Sequence, residues 1–406
     1  MNKYLFVSGI ALLLSVQAGL AQELPSTLEQ AQAIEKAEAL PASALYAKSY
    51  DASAGKPGDL LGQESFGGYA VKGLGRAVRF VYRSADAENR TVVTTGVVLI
   101  PTGHAPAGGW PIIAWGHGTS GVANQCAPSL MKDAYYGTEG LSDMLKAGFA
   151  VVATDYSGLG GPGRHPYINK PSQARDIVYS VPAARAAVSE LGTRWVADGH
   201  SQGGAAAWGV AELESGMNDD SYLGAVSVSG AGSLDGFFQF IDDNAGVSMY
   251  LAWAAEGIHV RFPEFQPEDV LSPRMMEKYV AVTTQGCWYF GFVSYKDTPK
   301  HAALKSGWQA NPWLRRWSDE NALAKIRVTK PLFVISGEGD KTVPIAGVRE
   351  TVRQACNLGS NLIFKSYPGL DHDPTMIKSV PAQLAWIKDR FAGKAFVSDC
   401  PAVQPH

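Results

Sequence analysis

From about residue 111 onward the chain alternates short apolar runs with helix-length segments, and no other property narrows its possible folds as far. The runs lie at 111–115, 150–154, 195–199, 225–229, 332–336 and 362–367. Helix-length stretches fall between them or after them at 139–147, 173–191, 203–214, 346–357 and 375–391. Strands that are continuously apolar, rather than alternating, are those buried on both faces, so the pattern predicts an α/β fold with a mostly parallel, doubly wound sheet. Ahead of it, two β-rich runs at 77–82 and 92–100 flank the polar turn at 84–90 and read as an antiparallel hairpin. Further upstream, Ser26-Thr27-Leu28-Glu29 resembles a capping box that opens a helix running to about Leu40, where Pro41 stops it. The Ala/Glu/Lys-rich face of that helix predicts a solvated arm.

One stretch breaks the alternation. Between the strand ending near Ser229 and the one starting at Leu332 lie about a hundred residues without a βα pattern, rich in proline and in aromatics such as Phe238, Tyr250, Trp253, Phe265, Trp288 and Trp317. A structureless loop of that length is rare inside a compact domain, which predicts a separately packed, mainly helical cap over 233–328. The core then divides into 22–232 and 329–406. More than half of the cap aromatics are expected to form its own core.

The first 21 residues carry Lys3, an apolar run at 5–16 and Gly19-Leu20-Ala21, the pattern of a cleavable signal peptide. A secreted or periplasmic protein is therefore expected. No later stretch reaches the roughly 20 apolar residues of a membrane span. The 406 residues carry a formal net charge of −3, which argues against a nucleic-acid partner. Cys126, Cys287, Cys356 and Cys400 make an even count, which in an exported chain argues for two disulfides in one of three connectivities, with buried free thiols as the alternative. Spacings typical of zinc ligands are absent, and neither a metal nor a cofactor is expected.

The chemistry concentrates at Gly199-His200-Ser201-Gln202-Gly203, between an apolar strand and a segment that opens a helix. G-x-S-x-G in that setting exposes a serine on a strained turn, where glycines leave room for close backbone contacts. A serine hydroxyl is a weak nucleophile and needs a base within hydrogen-bond reach and a third group to orient the base. In a doubly wound hydrolase sheet these follow in the order serine, acid, histidine. Asp340 follows the 332–336 strand by 139 residues from Ser201, and His372 follows the 362–367 strand 32 residues later. Glu338 is the competing acid, while Asp371 and Asp373 are too close in sequence to reach around the imidazole. His200 and His117 are read as packing or loop-orienting residues, and His165 and His259 lack strand context. The oxyanion needs two fixed main-chain donors. One is expected from Gln202, after the nucleophile, and the other from the loop Gly116-His117-Gly118-Thr119, with Thr119 preferred and Gly118 as the fallback. Asp155, at a strand end, is read as bonding loop amides rather than lining the pocket.

Several blocks together resemble the secretory lipase family of α/β-hydrolases: Tyr82-Arg83-Ser84 with Val97-Val98-Leu99-Ile100-Pro101, Gly116-His117-Gly118-Thr119 continuing to Cys126-Ala127-Pro128-Ser129, Thr154-Asp155-Tyr156-Ser157-Gly158-Leu159-Gly160, the turn at Ser201, and the Gly339-Asp340 and Asp371-His372 loops. The resemblance implies an α/β-hydrolase fold with a helical cap inserted between the nucleophile and acid strands, and hydrolysis of carboxylic esters. It also implies the pairings Cys126–Cys287, tying cap to core, and Cys356–Cys400, anchoring the tail. One position departs from the pattern: Thr119 stands where an acidic residue serves in the oxyanion loop.

These residues lead to a lipase or esterase acting on a small-molecule ester or lipid, with medium to long acyl chains favoured by the aromatic cap. A short-chain esterase or an acyltransferase on the same scaffold is the alternative. A peptidase fits less well, because nothing recognises a peptide terminus. An inactive hydrolase-fold binding protein is disfavoured by the presence of all three candidate residues in order.

Overall fold

Nine strands form one sheet in the computed structural model, which describes residues 24–400 apart from 231, 233 and 235. The signal-peptide segment 1–21 lies outside the described residues. The strands are β1 (Leu60–Ser65), β2 (Leu74–Ala85), β3 (Thr91–Pro101), β4 (Trp110–Gly116), β5 (Ala150–Thr154), β6 (Leu191–His200), β7 (Tyr222–Val228), β8 (Leu332–Gly337) and β9 (Leu362–Tyr367). Their order is β1-β2-β3-β5-β4-β6-β7-β8-β9. The first three and the β3–β5 pair are antiparallel; from β5 to β9 every neighbouring pair is parallel.

Period-2 alternation sends Ile112 and Ala114 of β4 into one core cluster, and Ile113 and Trp115 into another on the opposite face. The first cluster takes its helical side from α3 (Lys170–Ala187), α4 (Gln202–Met217) and α10 (Ile345–Asn357). The second takes it from α2 (Ser142–Lys146) and α11 (His372–Phe391). Both faces are covered, which is why the parallel strands tolerate continuous apolar runs.

Between β7 and β8 the chain runs through α5 (Phe237–Asp242), α6 (Met249–Arg261), α7 (Pro273–Thr284), α8 (Trp288–Tyr295) and α9 (Pro312–Asn321). Phe238, Trp253, Phe265 and Trp317 are buried in a cluster formed almost wholly within this insertion. Cys126, in the loop after β4, is bonded to Cys287 at the start of α8, and Cys356 of α10 to Cys400. Among the described residues no helix is long and apolar enough to cross a membrane.

Four local features differ from expectation. β1 is an additional edge strand that carries too few apolar residues to announce itself. The 139–147 helix is replaced by a π-turn over Gly137–Leu141, broken at Gly140 (φ 159°), followed by the short α2. The helix expected over 173–191 starts earlier, where the Asn169 side chain accepts from the Ser172 N–H. The largest correction concerns α1 (Leu28–Glu38). Its cap is the Thr27–Gln30 box, and it is no solvated arm: Ala31 is buried. The Glu35 carboxylate accepts the main-chain N–H of Cys287 at 3.0 Å and of Phe290 at 2.8 Å. Those donors are orphans of the first turn of α8, so Glu35 caps a helix from a distant part of the chain.

Candidate active site

Ser201 stands between β6 and α4 at φ 57°, ψ −121°, a backbone conformation that L-residues avoid. The turn is held because the Ser201 N–H donates to the Val228 carbonyl of β7 at 2.9 Å. Its flanks must be glycine: a Cβ on Gly199 would sit 2.2 Å from the Gly203 carbonyl oxygen, and one on Gly203 would sit 1.9 Å from that of Gly116. The chain thus packs β6, α4 and β4 too closely for any side chain, which leaves the serine hydroxyl projecting at the carboxyl end of the sheet.

The loops after β8 and β9 bring Asp340 and His372 to the same rim. His372 Nε2 lies 2.8 Å from Ser201 Oγ, and His372 Nδ1 lies 2.8 Å from Asp340 Oδ2. Asp340 Oδ1 accepts the N–H groups of Thr342 and Val343 at 2.9 and 2.7 Å, so one oxygen fixes the loop while the other faces the imidazole. The Asp340 side chain is fully buried and that of His372 is 11% exposed. The competing acid Glu338 points elsewhere, to Arg349 and Ser366. Asp371 caps α11 by accepting the His372 N–H at 2.8 Å and also accepts from Lys341 N.

Around the serine, Gln202 occupies the first position of α4, where main-chain N–H groups have no partner within the helix. Its side-chain Nε2 lies 3.1 Å from His165 Nε2, and His165 Nδ1 lies 2.9 Å from the Ser157 carbonyl, an arrangement in which Nδ1–H donates and Nε2 accepts. Thr119 is buried; its Oγ1 lies 2.6 Å from Tyr167 Oη, and its carbonyl accepts from Tyr135 Oη. Neither the Thr119 nor the Gln202 main-chain N–H has an acceptor among the described residues. Gly118 closes the loop beneath Tyr136, whose hydroxyl would lie 2.2 Å from a Cβ at that position.

His117 faces the carbonyls of Gly118 and Asp155 at 2.6 and 3.2 Å and orients the loop; burial pushes its pKa down to about 4. Burial likewise takes His165 down to about 3. Asp155, fully buried, accepts from Ser129 N at 2.8 Å and from Thr95 Oγ1 at 2.7 Å, a structural knot between β3, β5 and the loop after β4.

The site opens into a cavity of about 1050 Å³. Val247, Met249, Tyr250, Trp288 and Phe292 give it an apolar wall, and Glu35, Asp133, Glu139 and Asp373 an acidic one. Burial, with Asp373 and Asp133 nearby, pushes Glu139 up to about 7. Sequence reasoning set His165 aside for want of strand context and missed its contact with Gln202, and it missed Tyr135, Tyr136 and Glu35, because the partner of each lies elsewhere along the chain and no local motif marks it.

A serine on a strand–turn–helix elbow, bonded to a histidine from the last loop of a doubly wound sheet, defines the class: the fold is that of the α/β-hydrolases. The chain belongs to the secretory lipase family, whose model, described as Secretory lipase, matches residues 135–399. It is similar to Lipase 5 of Candida albicans, 28% identical over 282 residues that cover 65% of this chain and 59% of that protein. Lipase 4 of Candida albicans is 27% identical over 287 residues, covering 65% and 60%. The chain thus spans about 60% of the length of these curated relatives. In fold it is similar to the closed state of Candida antarctica lipase A, with a TM-score of 0.71 at 17% identity over 90% of this chain and 92% of that one. The rice cell wall degrading esterase LipA from Xanthomonas oryzae gives a TM-score of 0.69 at 18% identity over 84% and 99%.

Proposed function

We propose that this protein is a secreted serine hydrolase of carboxylic esters, working through an acyl-enzyme on Ser201. The observation that carries the proposal is the unbroken hydrogen-bonded chain from Asp340 through His372 to Ser201 at the floor of a cavity with an apolar wall. Ser201 Oγ attacks the ester carbonyl while His372 Nε2 takes its proton; the carbon–oxygen bond to the alcohol then breaks and His372 returns the proton to the leaving oxygen. Water repeats the sequence: His372 takes its proton, the hydroxyl adds to the acyl carbonyl, the bond to Ser201 Oγ breaks as His372 returns the proton to that oxygen, and the acid leaves. Asp340 holds the ring in the tautomer that presents a bare Nε2 to the serine. The main-chain N–H groups of Gln202 and Thr119 stabilise the tetrahedral oxyanion, and the unpaired state of both donors supports that role.

The substrate is a medium- to long-chain ester, with the acyl chain along Met249, Tyr250, Trp288 and Phe292. A short-chain esterase or an acyltransferase is the alternative. The division into core segments 22–232 and 329–406 around a cap at 233–328 is supported by the cap's own apolar cluster. Export is supported by the family and by two disulfides, which persist in oxidising compartments.

The test is hydrolysis of p-nitrophenyl esters from acetate to palmitate by the wild type and by Ser201→Ala. The variant is expected to lose roughly 10⁴- to 10⁶-fold in kcat, and wild-type kcat/KM to peak beyond butyrate. Undiminished turnover by the variant contradicts the mechanism, and a peak at acetate contradicts the chain-length assignment.

A further inference from the structure

Two imidazoles share the floor of the cavity, and the proposed ester hydrolysis uses one of them. His200 precedes Ser201, and its ring centroid lies 4.6 Å from that of His372. It is fully buried within the protein yet borders the cavity. Its Nδ1 is 2.8 Å from Tyr136 Oη, but its Nε2 has no hydrogen-bond partner among the described residues. A buried polar atom left without a partner is costly and calls for a reason.

The surroundings supply one. A donor atom from each of His200, His372 and Asp373 lies within 4.8 Å of the other two. Two ligands held about 2.1 Å from a metal stand no more than about 4.2 Å apart, so the set closes when the exposed Asp373 carboxylate rotates inward and the Ser201 hydroxyl, 2.8 Å from His372 Nε2, turns off that lone pair. On both rings Nδ1 is engaged, by Asp340 on His372 and by Tyr136 on His200. Outer partners of this kind set the tautomer of metal-binding histidines and aim Nε2 at the ion. Tyr136 Oη can accept from Nδ1–H, which frees the Nε2 lone pair of His200. Among the cavity's lining, carboxyl groups (Glu35, Glu38, Asp133 and Glu139) outnumber the one lysine, Lys36, which favours a cation over an anion there.

We infer that His200, His372 and Asp373 form a binding site for a divalent transition-metal ion of the zinc type, and that occupancy switches hydrolysis off. The ion takes the Nε2 lone pair of His372 that otherwise accepts the Ser201 proton, while solvent fills the fourth position. Two nitrogens and one carboxylate suit Zn²⁺ or Cu²⁺; Mg²⁺ and Ca²⁺, which favour all-oxygen sites, bind poorly there. The inhibition rests on His372 being the base, as proposed above, whereas the binding rests on geometry alone.

Chelator-treated full-length protein is titrated with ZnCl₂ by calorimetry, in parallel with p-nitrophenyl ester hydrolysis and a MgCl₂ control. One Zn²⁺ per chain is expected, with hydrolysis falling in step with occupancy and no effect of Mg²⁺ at the same concentration. His200→Asn and Asp373→Asn should each weaken Zn²⁺ binding and raise the half-inhibitory concentration, relative to the variant's own activity, by at least about 10-fold, and Tyr136→Phe by about 10-fold. Asp373 is exposed, so its substitution keeps the test available if the His200 variant fails to fold. Absence of saturable Zn²⁺ binding, or affinity unchanged in the Asp373 variant, overturns the site. Binding without inhibition overturns the switch. Calorimetry on Ser201→Ala separates the two proposals: Zn²⁺ binding persists there whether or not Ser201 is the nucleophile.

Discussion

Asp340 divides its two oxygens between a loop and an imidazole, and this division separates it from every other carboxylate nearby. Asp340→Asn places an amide against His372 Nδ1 and favours the wrong tautomer; kcat for ester hydrolysis should fall roughly 10⁴-fold with KM little changed. Glu338→Gln, at a side chain bonded to Arg349 and Ser366, should leave kcat within about twofold; the reverse pattern would move the acid to Glu338. A second residue-scale prediction concerns pH. His117 and His165 titrate near 4 and 3 in the fold because burial penalises their charged forms, against an ordinary value near 6.5. Below about pH 6.5 the unfolded chain binds protons that the native one refuses, so the stability present above that pH is lost progressively as pH falls toward 4. For His117 alone the loss amounts to about 3 kcal/mol. Thermal melts should show this drop between pH 6.5 and 4, and His165→Gln should make it shallower; an equally steep drop in that variant contradicts the assignment. Ser201, Asp340 and His372 were legible in the sequence because each follows an apolar run at a strand end. His165 was not, since its partner Gln202 is 37 residues away and neither belongs to a motif that names the other.

At the scale of elements, the elbow is the clearest case of local sequence dictating shape: Gly199 and Gly203 allow the contacts that lock β6, α4 and β4 together. α1 is the opposite case. Its composition is that of a solvated helix, and its buried face amounts to little more than Ala31. Leu28 packs on the insertion's core and the Lys132 N–H donates to the Glu38 carbonyl, but the contact that reaches farthest along the chain is one carboxylate, Glu35, seated on the first turn of α8 and itself pushed up in pKa by burial. A partner 252 residues distant leaves no trace in the periodicity of α1. Glu35→Ala removes the cap and should cost about 1 kcal/mol in urea unfolding. An unchanged midpoint would mean that water caps α8 equally well. β1 escaped notice for a related reason: Leu60-Leu61-Gly62-Gln63-Glu64-Ser65 is an edge strand with only its first residues apolar.

For the whole molecule, the order of the parallel strands puts the carboxyl ends of β6, β8 and β9 on one rim, and the insertion between β7 and β8 supplies a wall of the cavity above it. That architecture was readable because strands buried on both faces are uniformly apolar and the insertion is not. How the insertion seats on the core was not readable, since it depends on long-range contacts such as Cys126–Cys287, which closes a sequence separation of 161 residues. Replacing both cysteines by serine should cost about 2–5 kcal/mol of stability, with earlier proteolysis in the 233–328 segment. Equal stability and equal protease resistance would show that packing alone holds the insertion in place.

The central claim is that Ser201 is the nucleophile, and covalent trapping tests it most directly. A fluorophosphonate, added at increasing ratios and mapped by peptide mass spectrometry, should form one adduct per chain on Ser201, with ester hydrolysis lost in proportion and no adduct on Ser201→Ala. An adduct on another residue, or full hydrolysis by protein quantitatively modified at Ser201, would contradict the account.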